Sequence, residues 1–561
     1  MKQVVQSAKT GKLSVRDVPA PKAAAGELLV RTRASLISAG TERMVVQFAR
    51  KSLAAKAKDR PDLVHKVMAK VRTDGLKATV KAVLSRLDEP LPLGYSAAGV
   101  IVAVGAGLEG IYRAGDRVAL AGAGLANHAE LNAVPQNLAA PIPHDVSDED
   151  ACYGTLAAIA LHAVRNLDAK LGETVAVMGL GLVGQLAAQF LALSGVRVAA
   201  LDYDQDRLVL AKKLGAEKII NLADSDAACQ AMAFSSARGC DGILIAAATA
   251  TSEPFEMAAN VARDRAKVCL VGLSGTAFPY ATFMKKELSI IVSRSYGPGR
   301  YDDDYEDRGM KYPEGFIRWT ETKNLAESVR LMSAGLARRL NVAGLTTHTF
   351  AIGNADQAYG IVMERTEPHM GVLLTYPDVR SAEDPVTFPI PKVASDACVI
   401  GLIGAGQFAR SVLLPELVRQ PGVTLHTLVS KGSASTAHSG DKFGFDHAST
   451  DANSILANKA INAVIIANRH DDHSAQAVAA LNAGKSVLVE KPLGLNRSEI
   501  EAVQTSRAGA TGFLQVGFNR RFAPLSIAAK QKLSFLEGPR FMTFRINAGA
   551  VPAGSWLHNM D

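Results

Sequence analysis

Two glycine-rich turns constrain this chain more than any other feature: Gly179-Leu180-Gly181-Leu182-Val183-Gly184 and Gly404-Ala405-Gly406-Gln407-Phe408-Ala409. Each follows an apolar run that reads as a buried strand (residues 175–178 and 399–403), and each opens a helix-like segment. One such turn is a weak signal among 47 glycines. Two in strand–turn–helix context predict two dinucleotide-binding domains, and hence an α/β fold with parallel, doubly wound sheets. At 561 residues the chain exceeds one hydrophobic core and predicts about three or four domains.

Composition narrows the class. The chain is 48% apolar and 21% charged, as ordinary globular proteins are. Its five cysteines form no Cys-x-x-Cys pair, so neither a disulfide framework nor a structural zinc site is expected. The first residues lack the apolar core of a signal peptide, and a cytoplasmic location follows as the expectation. Residues 174–196 carry no charge and are long enough to cross a bilayer, but Gly179, Gly181 and Gly184 divide them into strand, turn and helix. No membrane partner is expected.

The net charge of +8 is concentrated, because residues 44–87 hold eleven Lys or Arg against three Asp. Apolar residues at Leu63, Val67 and Val71, then Leu76, Val80, Val83, Leu84 and Leu87, predict two amphipathic helices with basic outer faces in an insertion spanning 44–90. Such an insertion serves solubility or subunit contact in a homo-oligomer, or attracts an anionic substrate such as a phosphorylated or nucleotide-linked sugar. No aromatic interleaving accompanies the charge, so nucleic acid is not an expected partner.

Residues 1–160 read as short strands with glycine punctuation, a β-rich, barrel-like domain. Strand–helix alternation follows over 161–283, a mixed pattern over 284–378, and a polar, proline-bearing linker over 379–396. A second alternation covers 397–520, and residues 521–561 read as the start of an α+β domain.

At the first turn, Gly179 allows the sharp bend, Gly181 admits a pyrophosphate and Gly184 lets the helix pack on the strand. Asp202, at the end of the next strand, can accept the ribose hydroxyls and repels a 2′-phosphate, so NAD is expected here. Together with Gly94-Tyr95-Ser96-Ala97-Ala98-Gly99-Val100, Gly115-Asp116-Arg117-Val118 and Leu161-His162-Ala163-Val164-Arg165, this turn makes residues 1–378 resemble the medium-chain dehydrogenase/reductase family. The resemblance implies a nucleotide domain inserted into a discontinuous catalytic domain, to which 284–378 returns. Zinc-dependent members place Cys, His and an acidic or Cys ligand where this chain has Ser38, Tyr95 and Thr155, so no zinc is expected. Ser38, Tyr95, Glu42 and His128 are then the candidates for hydrogen bonding or proton transfer to the reacting oxygen. Residues 38–42 and 293–300 are expected to be loops lining the cleft.

At the second turn Ala409 replaces the third glycine, an accepted small residue. The next strand ends in Ser430-Lys431 rather than a carboxylate, which leaves NAD and NADP both open. Downstream, Glu490-Lys491-Pro492 at a strand end and Gly517-Phe518-Asn519-Arg520-Arg521-Phe522 resemble the glucose–fructose oxidoreductase/inositol dehydrogenase (Gfo/Idh/MocA) family. The resemblance puts Lys491 beside the nicotinamide and the substrate hydroxyl, with Glu490 and Pro492 at the cofactor. It also implies an open antiparallel sheet, of which residues 540–547 would be the first strand before the sequence stops, as in a truncated domain.

The expected function is NAD(P)-dependent hydride transfer to or from a hydroxyl or carbonyl of a small molecule, a sugar or nucleotide sugar. A zinc-free quinone or enone reductase, and a non-catalytic nucleotide-binding redox sensor or scaffold, are the alternatives.

Overall fold

Both glycine turns lie at the carboxyl ends of parallel strands, in two separate sheets of the computed structural model. The structure describes residues 1–59, 61–377, 386–387, 398–535, 537–539, 541–543 and 545. The first sheet is parallel throughout, in the order Lys218–Asn221, Arg197–Asp202, Thr174–Met178, Cys240–Ile245, Ala262–Leu270, Ser289–Val292. Its central strand, Thr174–Met178, is buried at every residue, as a strand covered by helices on both faces must be. Strand order reverses between Thr174–Met178 and Cys240–Ile245, which opens a crevice at their ends.

The second sheet repeats this plan: Val386–Thr387, His447–Ser449, Val423–Val429, Cys398–Ile403, Ala463–Ile466, Ser486–Glu490, Leu514–Gly517. Only the first of its pairings is antiparallel among the described residues. Its crevice lies between the ends of Cys398–Ile403 and Ala463–Ile466.

The β-rich part is built around the strand Glu27–Ile37. One side pairs with Ser96–Val104, and the other pairs first with Leu131–Pro135 and then with Gly371–Thr375. The chain thus leaves for the first nucleotide sheet and returns to the sheet it left. Among the described residues no pairing closes this sheet into a barrel.

The basic insertion differs from its prediction. It forms four helices (Thr41–Arg50, Leu53–Asp59, Pro61–Asp74, Leu76–Leu87) rather than two. Pro61 starts the third, where a missing N–H costs nothing, and Gly75 at φ 83° separates the last two. Leu63, Val67, Leu76, Val80 and Leu84 are exposed, so their helical spacing does not mark a buried stripe.

The uncharged stretch 174–196 is the strand Thr174–Met178 and the helix Leu182–Leu193, and no described helix is long and apolar enough to cross a membrane. The linker 379–396 lies outside the described residues except Val386–Thr387, which pairs with Ala448 and His447. Of the expected strand 540–547, only 541–543 and 545 are described; none is in a strand, and Phe541 is exposed.

Candidate active sites

In the first crevice the three glycines have different tasks. Gly179 has φ 87°, and a Cβ there would stand 2.6 Å from the Ala247 backbone. A Cβ on Gly184 would stand 1.9 Å from Gly179 O. A Cβ on Gly181 would meet nothing within 4 Å. Gly179 and Gly184 are therefore required by the fold, whereas the space beside Gly181 is open. The helix Leu182–Leu193 receives no side-chain cap at Gly181, so its first N–H groups face the crevice unpaired by side chains.

Asp202 is buried beneath this turn, where Oδ2 accepts from Leu180 N (2.5 Å) and Oδ1 from Asp204 N (3.0 Å). It braces the turn, and each oxygen retains a lone pair for a ribose hydroxyl.

The structure gathers Ser38, Tyr95, Glu42 and His128 into one network. Gly94 (φ 97°) makes this possible, because a Cβ there would lie 2.6 Å from His128 N. Tyr95 Oη donates to Ser38 Oγ at 2.8 Å. Behind this pair Glu42 Oε1 accepts from Ser38 N (2.9 Å), while Oε2 accepts from Tyr359 Oη and faces His128 Nε2 at 3.2 Å. A carboxylate at Nε2 puts the imidazole proton there, so Nδ1 accepts from Ser35 Oγ (2.7 Å), which in turn accepts from Tyr376 Oη (2.6 Å). Ser38, Glu42 and His128 are all buried; Glu42 holds the Ser38 backbone, and His128 in turn bonds Glu42. Burial raises the Tyr95 phenol, which keeps its proton at neutral pH. Sequence reasoning missed Ser35, Tyr359 and Tyr376, which carry no motif.

These donors do not fit a catalytic zinc. Ser38 and Tyr95 are hydroxyls bonded to each other, and Thr155 Oγ1 donates to Leu120 O at 3.1 Å. Zinc takes thiolate, imidazole or carboxylate, and the nearby imidazole and carboxylate are committed to each other.

The segment 293–300 lies against Glu321, whose N donates to Pro298 O at 2.8 Å. Glu321 is buried, neither carboxyl oxygen has a hydrogen-bond partner, and burial reinforced by Glu306 pushes its pKa from 4.5 up to about 9. The folded carboxyl keeps a proton that the unfolded chain has lost, so its contribution is complete below the unfolded value and declines as pH rises towards 9. Glu321→Gln is expected to raise the melting temperature more at about pH 8 than at about pH 5, read from paired thermal melts.

In the second crevice Gly404 (φ 103°) passes within 2.5 Å, measured from a would-be Cβ, of the Ala467–Asn468 peptide. A Cβ on Gly406 would have only Ala467 O near, at 3.9 Å. Ala409 is fully buried, as a helix-packing residue should be. The helix it opens is irregular: residues Ala409–Leu413 form a π turn that leads into Leu414–Leu417.

Ser430 and exposed Lys431 follow the strand Val423–Val429, and Thr436 Oγ1 donates to Ser430 O at 3.2 Å. Glu490 ends its strand, and its carboxylate accepts from Asn519 Nδ2 at 3.0 Å in room left by Gly517. Lys491 is exposed, and its bond to Pro492 is cis. The fully buried His473 anchors this turn by donating from Nδ1 to Pro492 O at 2.7 Å. His470 stands near Lys491: burial, then the charges of His473 and Lys491, lower its pKa. Sequence reasoning gave His473 no role, and the fold supplies one.

A glycine turn at a strand-order reversal, with an uncapped helix beyond it, defines a dinucleotide-binding module, and this chain holds two. Family profiles give both an oxidoreductase identity. Residues 183–308 match the zinc-binding dehydrogenase family, and residues 398–518 match the Gfo/Idh/MocA oxidoreductase family with its NAD-binding Rossmann fold. The first match stops short of residues 1–160, so it does not bear on zinc ligands there.

Among curated proteins the chain is 36% identical over 126 residues to a 4-carboxy-2-hydroxymuconate-6-semialdehyde dehydrogenase of Sphingobium sp.. It is 29% identical over 241 residues to an L-idonate 5-dehydrogenase of Vitis vinifera. These matches span 22% and 36% of this chain, and 39% and 64% of the relatives' own lengths. Galactitol-1-phosphate dehydrogenase from Escherichia coli shares the fold over 67% of this chain and 100% of its own, with TM-score 0.51 and 20% identity.

Proposed function

We propose that this chain is an NAD(P)-dependent oxidoreductase acting on a hydroxyl or carbonyl of a sugar-like small molecule, and that its first module works without zinc. The observation that carries the reading is the Tyr95–Ser38 hydroxyl pair, braced by Glu42 and His128 at the positions where zinc-dependent relatives have ligands. Asp202 favours NAD in that module; exposed Lys431 leaves NADP open beside NAD in the second.

When bound, the nicotinamide exchanges hydride with a substrate carbon. The chain must then supply a proton to the oxygen during reduction. Ser38 Oγ–H can be handed to that oxygen as Tyr95 Oη–H reprotonates Ser38, which leaves the alcohol neutral and Tyr95 as a phenolate that takes up one proton from solvent before the next turnover. Burial raises the Tyr95 phenol, so it holds its proton at neutral pH until the more basic alkoxide draws it through Ser38. In the second module, exposed Lys491 at the strand end is the proposed partner of the reacting oxygen, with Glu490 and Pro492 shaping the turn around it. The relative named for L-idonate supports a polyhydroxy substrate, and the basic insertion suits an anionic one.

The test is nicotinamide absorbance with a panel of sugars, sugar phosphates, nucleotide sugars and quinones. Turnover of sugars supports the proposal, turnover of quinones alone replaces it, and cofactor binding without any turnover indicates a sensor. Within it, Tyr95→Phe is expected to slow carbonyl reduction by the first module about 100-fold while leaving NADH affinity unchanged, measured by steady-state kinetics and fluorescence titration.

A further inference from the structure

The basic insertion ends on the second cofactor site. After the helix Leu76–Leu87 the chain passes through Asp88 and Glu89 into the strand Pro90–Pro92, which leads to Tyr95. Glu89 pairs with both terminal nitrogens of Arg410, each at 3.1 Å, and the Arg410 side chain is only 15% exposed. Arg410 N donates to Gly406 O at 3.0 Å, so this residue belongs to the first turn after the second fingerprint. Asp88 reaches a different element of the same module. It accepts from Lys442 Nζ and faces His438 Nε2 at 3.2 Å, both on the helix Ser433–Phe443 that follows Ser430-Lys431. Val5 and Val18 pack on Ala434 and Ala437 of that helix, which gives the contact an apolar centre.

Two adjacent carboxylates of the first module therefore hold the two segments that frame the second dinucleotide crevice. One of those segments departs from α-helical geometry. Ala409–Leu413 is a π turn, a form found mostly as single turns at functional sites.

We propose that Glu89 is a positioning residue for the second cofactor site: through Arg410 it fixes the turn at 404–413 in its phosphate-accepting geometry, so the first module completes the second site. This rests on the reading of the Gly404 turn as an NAD(P) site.

The experiment uses the full chain carrying Gly181→Asp to silence the first site, with NADH and NADPH as probes. Glu89→Gln is expected to weaken binding at the second site about three- to tenfold, and to do nothing further in an Arg410→Gln background. Without cofactor, amide exchange over residues 405–413 is expected to quicken in Glu89→Gln. Unchanged affinity and exchange in Glu89→Gln, or effects that add to those of Arg410→Gln, overturn the proposal. A parent that binds neither cofactor at this site overturns the site reading instead, and the exchange measurement still decides whether Glu89 holds the turn.

Discussion

Gly181→Asp and Gly406→Asp are each expected to abolish dinucleotide binding at their own site, by at least about 100-fold, while the protein melts as the parent does. A side chain at either position has room in the protein: nothing lies within 4 Å of a Cβ on Gly181, and only Ala467 O lies near Gly406, at 3.9 Å. The added carboxylate would instead stand where a pyrophosphate approaches, adding both bulk and like charge. Gly184→Ala is the control with the opposite signature. Its Cβ would be driven to 1.9 Å from Gly179 O, so the fold must shift, with about 3 kcal/mol lost. Calorimetric titration with NADH and NADPH, together with thermal melts, separates the two outcomes. Retained binding in both Asp variants would remove the glycine turns from cofactor recognition.

Lys491→Ala is expected to lower turnover by the second module by about 100- to 10,000-fold, with cofactor affinity changed far less. Lys491 is exposed, so its removal should leave stability within about 0.5 kcal/mol of the parent. The turn itself stays anchored, because Pro492 O is held by His473 and Glu490 by Asn519. A kinetic loss without a structural loss therefore isolates the ammonium. Full sugar oxidation by Lys491→Ala would exclude it from the mechanism.

The parts legible in the sequence were those written in neighbouring residues. Strand, turn, helix and strand-end acid at 174–202 fall within 29 residues, and their spacing carries the geometry directly. The active-site candidates were legible only as residue types. Ser38, Tyr95, Glu42 and His128 each suggested proton chemistry, but the sequence could not sort them. The structure bonds Tyr95 to Ser38 and ties Glu42 to the Ser38 backbone, His128 and Tyr359, the last 317 residues from Glu42. The insertion shows the converse error. Its apolar spacing is helical, yet Leu76 is 65% exposed, because periodicity reports a face and not whether anything covers it.

By itself, the sequence determined two dinucleotide turns and the sheets that carry them. A positive φ, a close backbone approach and a buried apolar strand are demands on consecutive residues, and only certain residues meet them. Tertiary structure decided which distant groups meet: that Tyr95 bonds Ser38 in front of Glu42, and that Glu89 grips Arg410 across 321 residues of chain beside the second turn. Those choices depend on which polar groups lose water together and so must pair. No local period in a sequence records that pairing.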